Sequence, residues 1–306
     1  MHGREAVHCV SFFTLREKLV SQSDSTAPTE GSAAPGSHAR DPNFVFALAK
    51  GLEILAAFSG GELLGNQQLV ERTGFPKATV SRLTSTLTKL GYLRVDPASG
   101  RLGMGTRLVG MGVSVQRKVG LHEIARPFME ALSQDTQLTV SFGTRDRLAL
   151  VFLEVIRPPD PTRLVVNTDA GSVLPLPLTA IGLAYLVAAP VKERAQILQE
   201  LRPRHADEWD SIRAAIERAH DEYTSQGFVT AQRSLGRNIS GVGVPLRLKA
   251  PHHALYAFHC AGPSSVLSPA RIEEVGAKLV ATVTAISHAM ENAPRAALKT
   301  TSPHQP

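Results

Sequence analysis

The chain has 306 residues, 43% of them hydrophobic and 20% charged. That balance excludes a disordered or fibrous chain, and at roughly 100–200 residues per domain the length allows two domains with tails. No apolar run approaches the ~18 residues of a membrane-crossing helix, so no membrane partner is expected; the only cysteines, Cys9 and Cys260, are too few for a disulfide framework and suit a reducing, cytoplasmic setting.

Val7–Leu15 is a short apolar stretch. Arg4 before it is offset by Glu5, and Arg16, Glu17 and Lys18 follow at once, which is not a secretory pattern. Residues 20–42 are rich in Ser, Ala, Gly and Pro and bury too little to order themselves, so 1–42 reads as a disordered leader.

The net charge of +6 is unevenly placed: residues 41–118 carry ten basic against five acidic side chains, and residues 119–294 carry seventeen against eighteen. Basic charge gathered in one segment is the footprint of phosphate binding. In that segment Phe44, Leu48, Leu52, Leu55 and Phe58 recur at helical spacing and predict an amphipathic helix with those residues inward. Asn66 is placed to cap a short second helix over 67–73, with Leu69 and Val70 inward. Gly74 supplies the turn, and Pro76 opens a third helix that runs to Leu90 and stops at Gly91. Two short strands around the turn Asp96–Gly100 read as a wing. The segment 43–108 is therefore expected to be a winged helix-turn-helix, with a linker helix over 109–120.

On the third helix the buried stripe is expected to be Val80, Leu83, Leu87 and Leu90. The opposite arc holds Lys77, Ala78, Ser81, Arg82, Ser85, Thr88 and Lys89 and no acidic residue. A plain solvated face mixes Glu with Lys; a short-chained, all-basic face suits the major groove of duplex DNA. Lys77, Ala78, Thr79, Ser81 and Arg82 are the expected DNA contacts, Arg82 as a base reader and Thr79 toward phosphate. On the wing, Arg94 and Arg101 are expected on the backbone or minor groove.

Downstream, helices are expected at 121–134, from near 179, at 191–201, at 208–226 and from Ser268 onward. Strands are expected at 137–143, 148–156, 162–168, 241–248 and 253–261. Antiparallel strands flanked by helices give an α+β domain over 121–292, and 293–306 reads as a disordered tail. Thr179 is a plausible N-cap whose helix dipole favours a carboxylate; an ordinary capped helix explains it equally well. Asn238 and Ser240 sit among glycines and suit ligand hydrogen bonds or plain turn chemistry. Ser141 and Gly143 are placed to line the same sheet. His252, His253, His259 and Cys260 lack the spacing of a metal site, because neighbours in a strand face opposite sides; no metal and no cofactor are expected, and Cys260 is expected as a small buried hydrophobe. No nucleophile elbow, phosphate loop or paired-histidine zinc motif occurs, so no catalytic residue is assigned and an enzyme is not expected.

The stretch Glu71–Leu83, with Leu90–Leu93 and Arg101–Gly105, resembles the IclR family (isocitrate lyase regulator-like) of bacterial regulators. The resemblance is tight over about sixty residues and looser over 44–292. It implies a C-terminal GAF-like antiparallel sheet with flanking helices that binds a small effector, often an organic or aromatic acid, in a homo-oligomer, dimer or tetramer. Within the family's effector segment, Thr179, Ala180, Ile181, Gly182 and Ala184 match, whereas Pro177 stands for the family His and Leu183 for its Lys. Gly236–Pro245 and Tyr256–Pro263 correspond to the later strand motifs. The expected function is a ligand-responsive regulator, repressor or activator, of a double-stranded DNA operator. The rivals are a constitutive DNA binder without ligand and an enzyme carrying a helical interaction module.

Overall fold

The computed structural model describes residues 43–58, 62–112, 121–160, 168–232, 234, 238–248 and 254–292. The expected leader and tail, most of the linker, most of the strand expected at 162–168, and His252 and His253 lie outside the described residues. The chain divides into two compact units, one over the described residues up to 112 and one from 121 onward.

The first unit packs three helices against a small hairpin. Helix α1 (Phe46–Ala56) buries Gly51 and Ile54. Gly51 faces Leu83 of the third helix at ordinary van der Waals distance. This phase differs from the expected one. Leu48 is 62% and Leu52 56% exposed, while Ile54, Ala57 and Phe58 go inward. The segment carries apolar residues around most of its circumference, so spacing alone does not select the buried side.

Helix α2 (Asn66–Thr73) begins one residue earlier than expected. Gly65 takes the N-cap position, and its N–H donates to Gln68 Oε1 at 3.0 Å. Asn66 instead faces the Thr84 hydroxyl at 3.4 Å. Gly74, at φ +70°, makes the left-handed turn that redirects the chain. Helix α3 (Lys77–Lys89) buries Val80, Thr84 and Leu87. Leu90, expected in that stripe, follows the last helical residue and is 49% exposed.

Strands β1 (Leu93–Val95) and β2 (Leu102–Met104) pair antiparallel. The turn between them is closed by Gly100 N–H donating to Asp96 O at 2.8 Å, with Asp96 Oδ2 accepting from Ser99. Leu64 adds a third rung by exchanging both backbone bonds with Leu102, which ties the wing to the start of α2.

The second unit is built on a six-stranded antiparallel sheet of order β5-β4-β3-β8-β7-β6. In chain order its elements are α4 (Leu121–Thr136), β3 (Thr139–Asp146), β4 (Ala149–Ile156), β5 (Val173–Pro175), a 3-10 turn, α5 (Ala180–Ala188), α6 (Val191–Leu201), a second 3-10 segment, α7 (Trp209–Gln226), β6 (Val229–Ala231), β7 (Ile239–Arg247), β8 (Leu255–Pro263) and α8 (Pro269–Asn292). Thr168 is outside any strand, and the next described strand after β4 is β5.

One sheet face packs on α4 and α8 through Val140, Phe142, Val244, Phe258 and Cys260 against Met129, Leu279 and Ile286. Fully burying each such large side chain is worth about 1.5–3 kcal/mol. The inward residues of α8 are the expected Ile272, Val275, Leu279, Val283, Ile286 and Met290. The other face carries α5 and α7 through Leu150, Phe152, Ala257, Ile181 and Ala184. A β-bulge between Phe142 and Gly143 leaves Leu153 without a register partner. The extra residue reverses the phase of β4. Leu150 and Phe152 therefore face α5, whereas Glu154 pairs across from Phe142 on the α4 side.

Candidate functional site

In the first unit the basic residues fall into two sets. Arg72 forms an ion pair with Glu62 and donates to Ala57 O at 3.0 Å, pinning α2 to the end of α1. Lys50 lies over the Phe75 ring, and Arg107 lies over Tyr92 while donating to Leu90 O. These three are held by the fold. Lys77, Arg82 and Lys89 on α3 and Arg94 and Arg101 on the wing make no ion pair or side-chain hydrogen bond with any described residue, and all five are exposed. Among the described residues of the first unit, the cations without an ion pair or side-chain hydrogen bond thus fall on one helix and one hairpin, a surface of positive charge suited to a polyanion.

Between α3 and the wing runs an open groove of ≈ 440 Å³. Its α3 side presents Ser81, Ser85, Thr88 and Lys89, and its wing side presents Val95 and Leu102. Thr84 on the floor donates back to Ser81 O at 3.2 Å.

In the second unit, the face of the sheet under α5 is lined by small residues. A Cβ on Gly243 would meet Ala180 O at 2.4 Å, and one on Gly182 would meet Leu176 O at 2.1 Å. The start of α5 therefore rests directly on the backbone of β7. Thr179 caps α5, accepting from Gly182 N–H at 3.2 Å and donating to Pro175 O at 3.1 Å.

Two strands from β7, Ser141 Oγ lies 2.8 Å from His259 Nδ1. The His259 ring stacks on Phe152 at 5.4 Å and 13°. Burial pushes the His259 imidazole down to about 4, against a smaller opposing effect of its hydrogen bond with Ser141, so the ring is neutral at physiological pH. On the opposite face Glu154 is buried, paired with His122 and 3.3 Å from Arg126 Nη1. It ties β4 to the first turns of α4.

Two family models match the two units of the chain. The IclR helix-turn-helix domain matches residues 47–97, and the bacterial transcriptional regulator IclR C-terminal domain matches residues 113–288. The chain belongs to the IclR family of bacterial transcriptional regulators.

This IclR-family chain is 61% identical to the HTH-type transcriptional regulator TsaQ1/TsaQ2 of Comamonas testosteroni, over 72% of this chain and 79% of that one. It is 27% identical to the DNA-binding transcriptional repressor YiaJ of Escherichia coli, over 74% and 78%. Among solved structures, an IclR family transcriptional regulator from Brucella abortus superposes with a TM-score of 0.66 at 35% identity, covering 84% of this chain and 96% of that one. An IclR homologue from Microbacterium hydrocarbonoxydans, complexed with 4-hydroxybenzoate, shares the fold at 18% identity and a TM-score of 0.63, over 81% and 100%. The chain is a DNA-binding transcriptional regulator, and its relatives are named regulators rather than enzymes.

In this IclR-family fold the residues singled out from the sequence are placed as follows. Lys77, Ala78, Ser81 and Arg82 share the exposed arc of α3, with Thr79 half-buried at its edge. Arg94 sits on β1 opposite Gly103 of β2, and Arg101 immediately precedes β2. In the second unit, Thr179, Ala180, Ile181 and Gly182 form the start of α5, while Ser141 and Gly143 lie on β3 facing that helix's side of the sheet.

Asn238 and Ser240 are not brought to this face. Asn238 is exposed, and Ser240 shares the α4/α8 face with Val242 and Val244, its hydroxyl 2.9 Å from Ser264 Oγ. Counting in steps of two from the core residues of β7 reveals that side only once the strand's register is known.

Two groups were not singled out from the sequence as functional. The sequence offers His259 only a metal-ligand reading, whereas its alternation with Ala257 places it on the α5 face. Glu154 carries no motif, and only the bulge turns it toward α4. Among the described residues no cluster of three metal-ligating side chains occurs, and no described helix is long and apolar enough to cross a membrane.

Proposed function

We propose that the chain is a ligand-responsive regulator. It reads a duplex operator through the N-terminal half of α3 and through the wing, and it senses a small carboxylic acid on the α5 face of its C-terminal sheet. The observation that carries the DNA half is the segregation of cations: Lys50, Arg72 and Arg107 contact the fold, whereas Lys77, Arg82, Lys89, Arg94 and Arg101 make no ion pair or side-chain hydrogen bond with a described residue. Arg82 is the base reader, Lys77 and Thr79 contact phosphate, and Arg94 and Arg101 follow the backbone or minor groove.

For the sensor half the support is the capped start of α5, set on Gly243 beside the buried Ser141–His259 pair. A neutral imidazole and a hydroxyl provide hydrogen bonds without the cost of burying a second charge, and Phe152 supplies an aromatic surface. The fold-level neighbour holding 4-hydroxybenzoate makes aromatic acids the first class to test.

The chain acts as a homo-oligomer, pairing two reading heads on a pseudo-palindromic site. Val45, Leu48 and Leu52, at 61%, 62% and 56% exposure, give α1 an apolar face that a second copy covers. Effector binding alters DNA affinity only by favouring one arrangement of the assembly over another.

The test is a binding titration on a duplex selected from random sequence, followed by addition of benzoate, 4-hydroxybenzoate and pyruvate. Selective binding altered by one acid supports the reading. Selective binding indifferent to a broad acid panel, with no thermal shift, favours the constitutive DNA binder.

A further inference from the structure

The groove between α3 and the wing, bordered also by Leu64, Gly65 and Asn66 at the start of α2, sets a polar α3 side against an apolar wing side. On the α3 side Lys89 has no ion-pair partner among the described residues. The hydroxyls there also divide. Thr84 and Thr86 spend theirs on carbonyls of their own helix, Ser81 O and Arg82 O. The hydroxyls of Ser85 and Thr88 make no hydrogen bond with a described residue. No carboxylate lines the groove. The wing side is apolar, and Val95 is 50% exposed there.

We propose that this groove seats the DNA sugar–phosphate backbone, with Lys89, Thr88 and Ser85 donating to phosphate oxygens and Val95 packing against a deoxyribose. The inference rests on the DNA-binding reading and extends it to residues outside the reading half of α3. A helix lying in a major groove and a hairpin at the neighbouring minor groove are separated by one backbone strand. That strand is anionic on its phosphate oxygens and apolar on its sugars, which matches the two walls.

The volume of ≈ 440 Å³ exceeds what a single ion needs and accommodates a run of backbone. The C-terminal end of a helix repels anions, and Lys89 is the last residue of α3, where its charge offsets that dipole. In this assignment α3 divides along its length: the first turns read bases, and the last turn holds the strand.

The experiment measures affinity against salt concentration for the full chain on two duplexes, one selected from random sequence and one unselected. Lys89→Ala is expected to weaken binding to both by the same factor, about tenfold, and to lower the salt slope by about 1. Thr88→Val is expected to weaken both with the slope unchanged, because it removes a neutral donor. Arg82→Ala, in contrast, is expected to lose selectivity between the two. Val95→Asp places a carboxylate in the groove and is expected to weaken both duplexes, and circular dichroism confirms that each variant is folded. Wild-type binding that is salt-sensitive, with Lys89→Ala at the same affinity and slope, would overturn the backbone seat alone. A wild-type chain without salt-sensitive DNA binding overturns the seat and the DNA-binding reading together.

Discussion

The two units of this regulator hold the groups proposed for DNA and for effector in opposite ways. In the first, Lys77, Arg82, Lys89, Arg94 and Arg101 are exposed and make no ion pair or side-chain hydrogen bond with a described residue, and the fold supplies their placement. In the second, His259 and Ser141 are buried against Phe152 beside a helix that rests on bare backbone. A surface that meets a polyanion is defined by residue type and by missing counter-charges. A buried recognition face is defined by which side of a strand each residue occupies and by the glycines that let a helix approach. Substitutions should therefore separate the two: changes on α3 alter binding with little loss of stability, and changes on the α5 face alter stability first.

The largest expected effect is Gly243→Ala. Its new methyl would meet backbone at 2.4 Å, so α5 must move, at a cost of about 3 kcal/mol. The only tryptophan, Trp209, opens α7 in the same unit, so its fluorescence during urea unfolding reads the loss directly. An unchanged midpoint would mean that α5 does not rest on β7 as described.

Acid sensitivity gives a second separation. Burial lowers the folded pKa of His259 to about 4 from the ordinary histidine value of 6.5, so the unfolded chain binds more protons between those values. The stabilising contribution is present above pH 6.5 and is lost as pH falls from about 6.5 to about 4, by roughly 3 kcal/mol in total. His259→Gln should flatten this part of the stability profile of the C-terminal unit. A variant with the same acid dependence as the parent chain would assign that dependence to another group.

A smaller effect is expected from Thr179→Val, which removes the cap on Gly182 N–H at about 1 kcal/mol. The urea midpoint should drop modestly while DNA affinity without effector stays as in the parent. A midpoint equal to the parent's would show that the hydroxyl contributes nothing at this helix end. The apolar face of α1 tests assembly: Leu48→Asp with Leu52→Asp should lower the mass seen by light scattering, whereas an unchanged mass would place the contact elsewhere.

Much of this division was legible from residues alone. Gly74, Pro76 and the arc from Lys77 to Lys89 define the third helix, and the six inward residues of α8 keep helical spacing over its whole length. The family resemblance over 71–105 located the same unit. Other features depended on contacts distant in sequence. The inward side of α1 is set by packing of Ile54, Ala57 and Phe58 with Leu69, Val80 and Leu87, which leaves Leu48 and Leu52 outside. Strands β5 and β6, at three residues each, are too short to show a period. Leu64 becomes a rung of the wing only because Leu102 offers a free edge. Glu154 changes face through a bulge that has no sequence signature, and the sheet face that Ser240 occupies follows only from the register of β7.

The central claim is that the free cations of α3 and the wing read a DNA sequence, and the most direct measurement is selective DNA binding by the parent chain beside Arg82→Ala. The account predicts tight, salt-sensitive binding to a selected duplex, with Arg82→Ala losing about 1–3 kcal/mol on that duplex and little on unselected DNA. Equal losses on both duplexes would make Arg82 a phosphate contact. No difference from the parent on either duplex would contradict the assignment of this face to DNA.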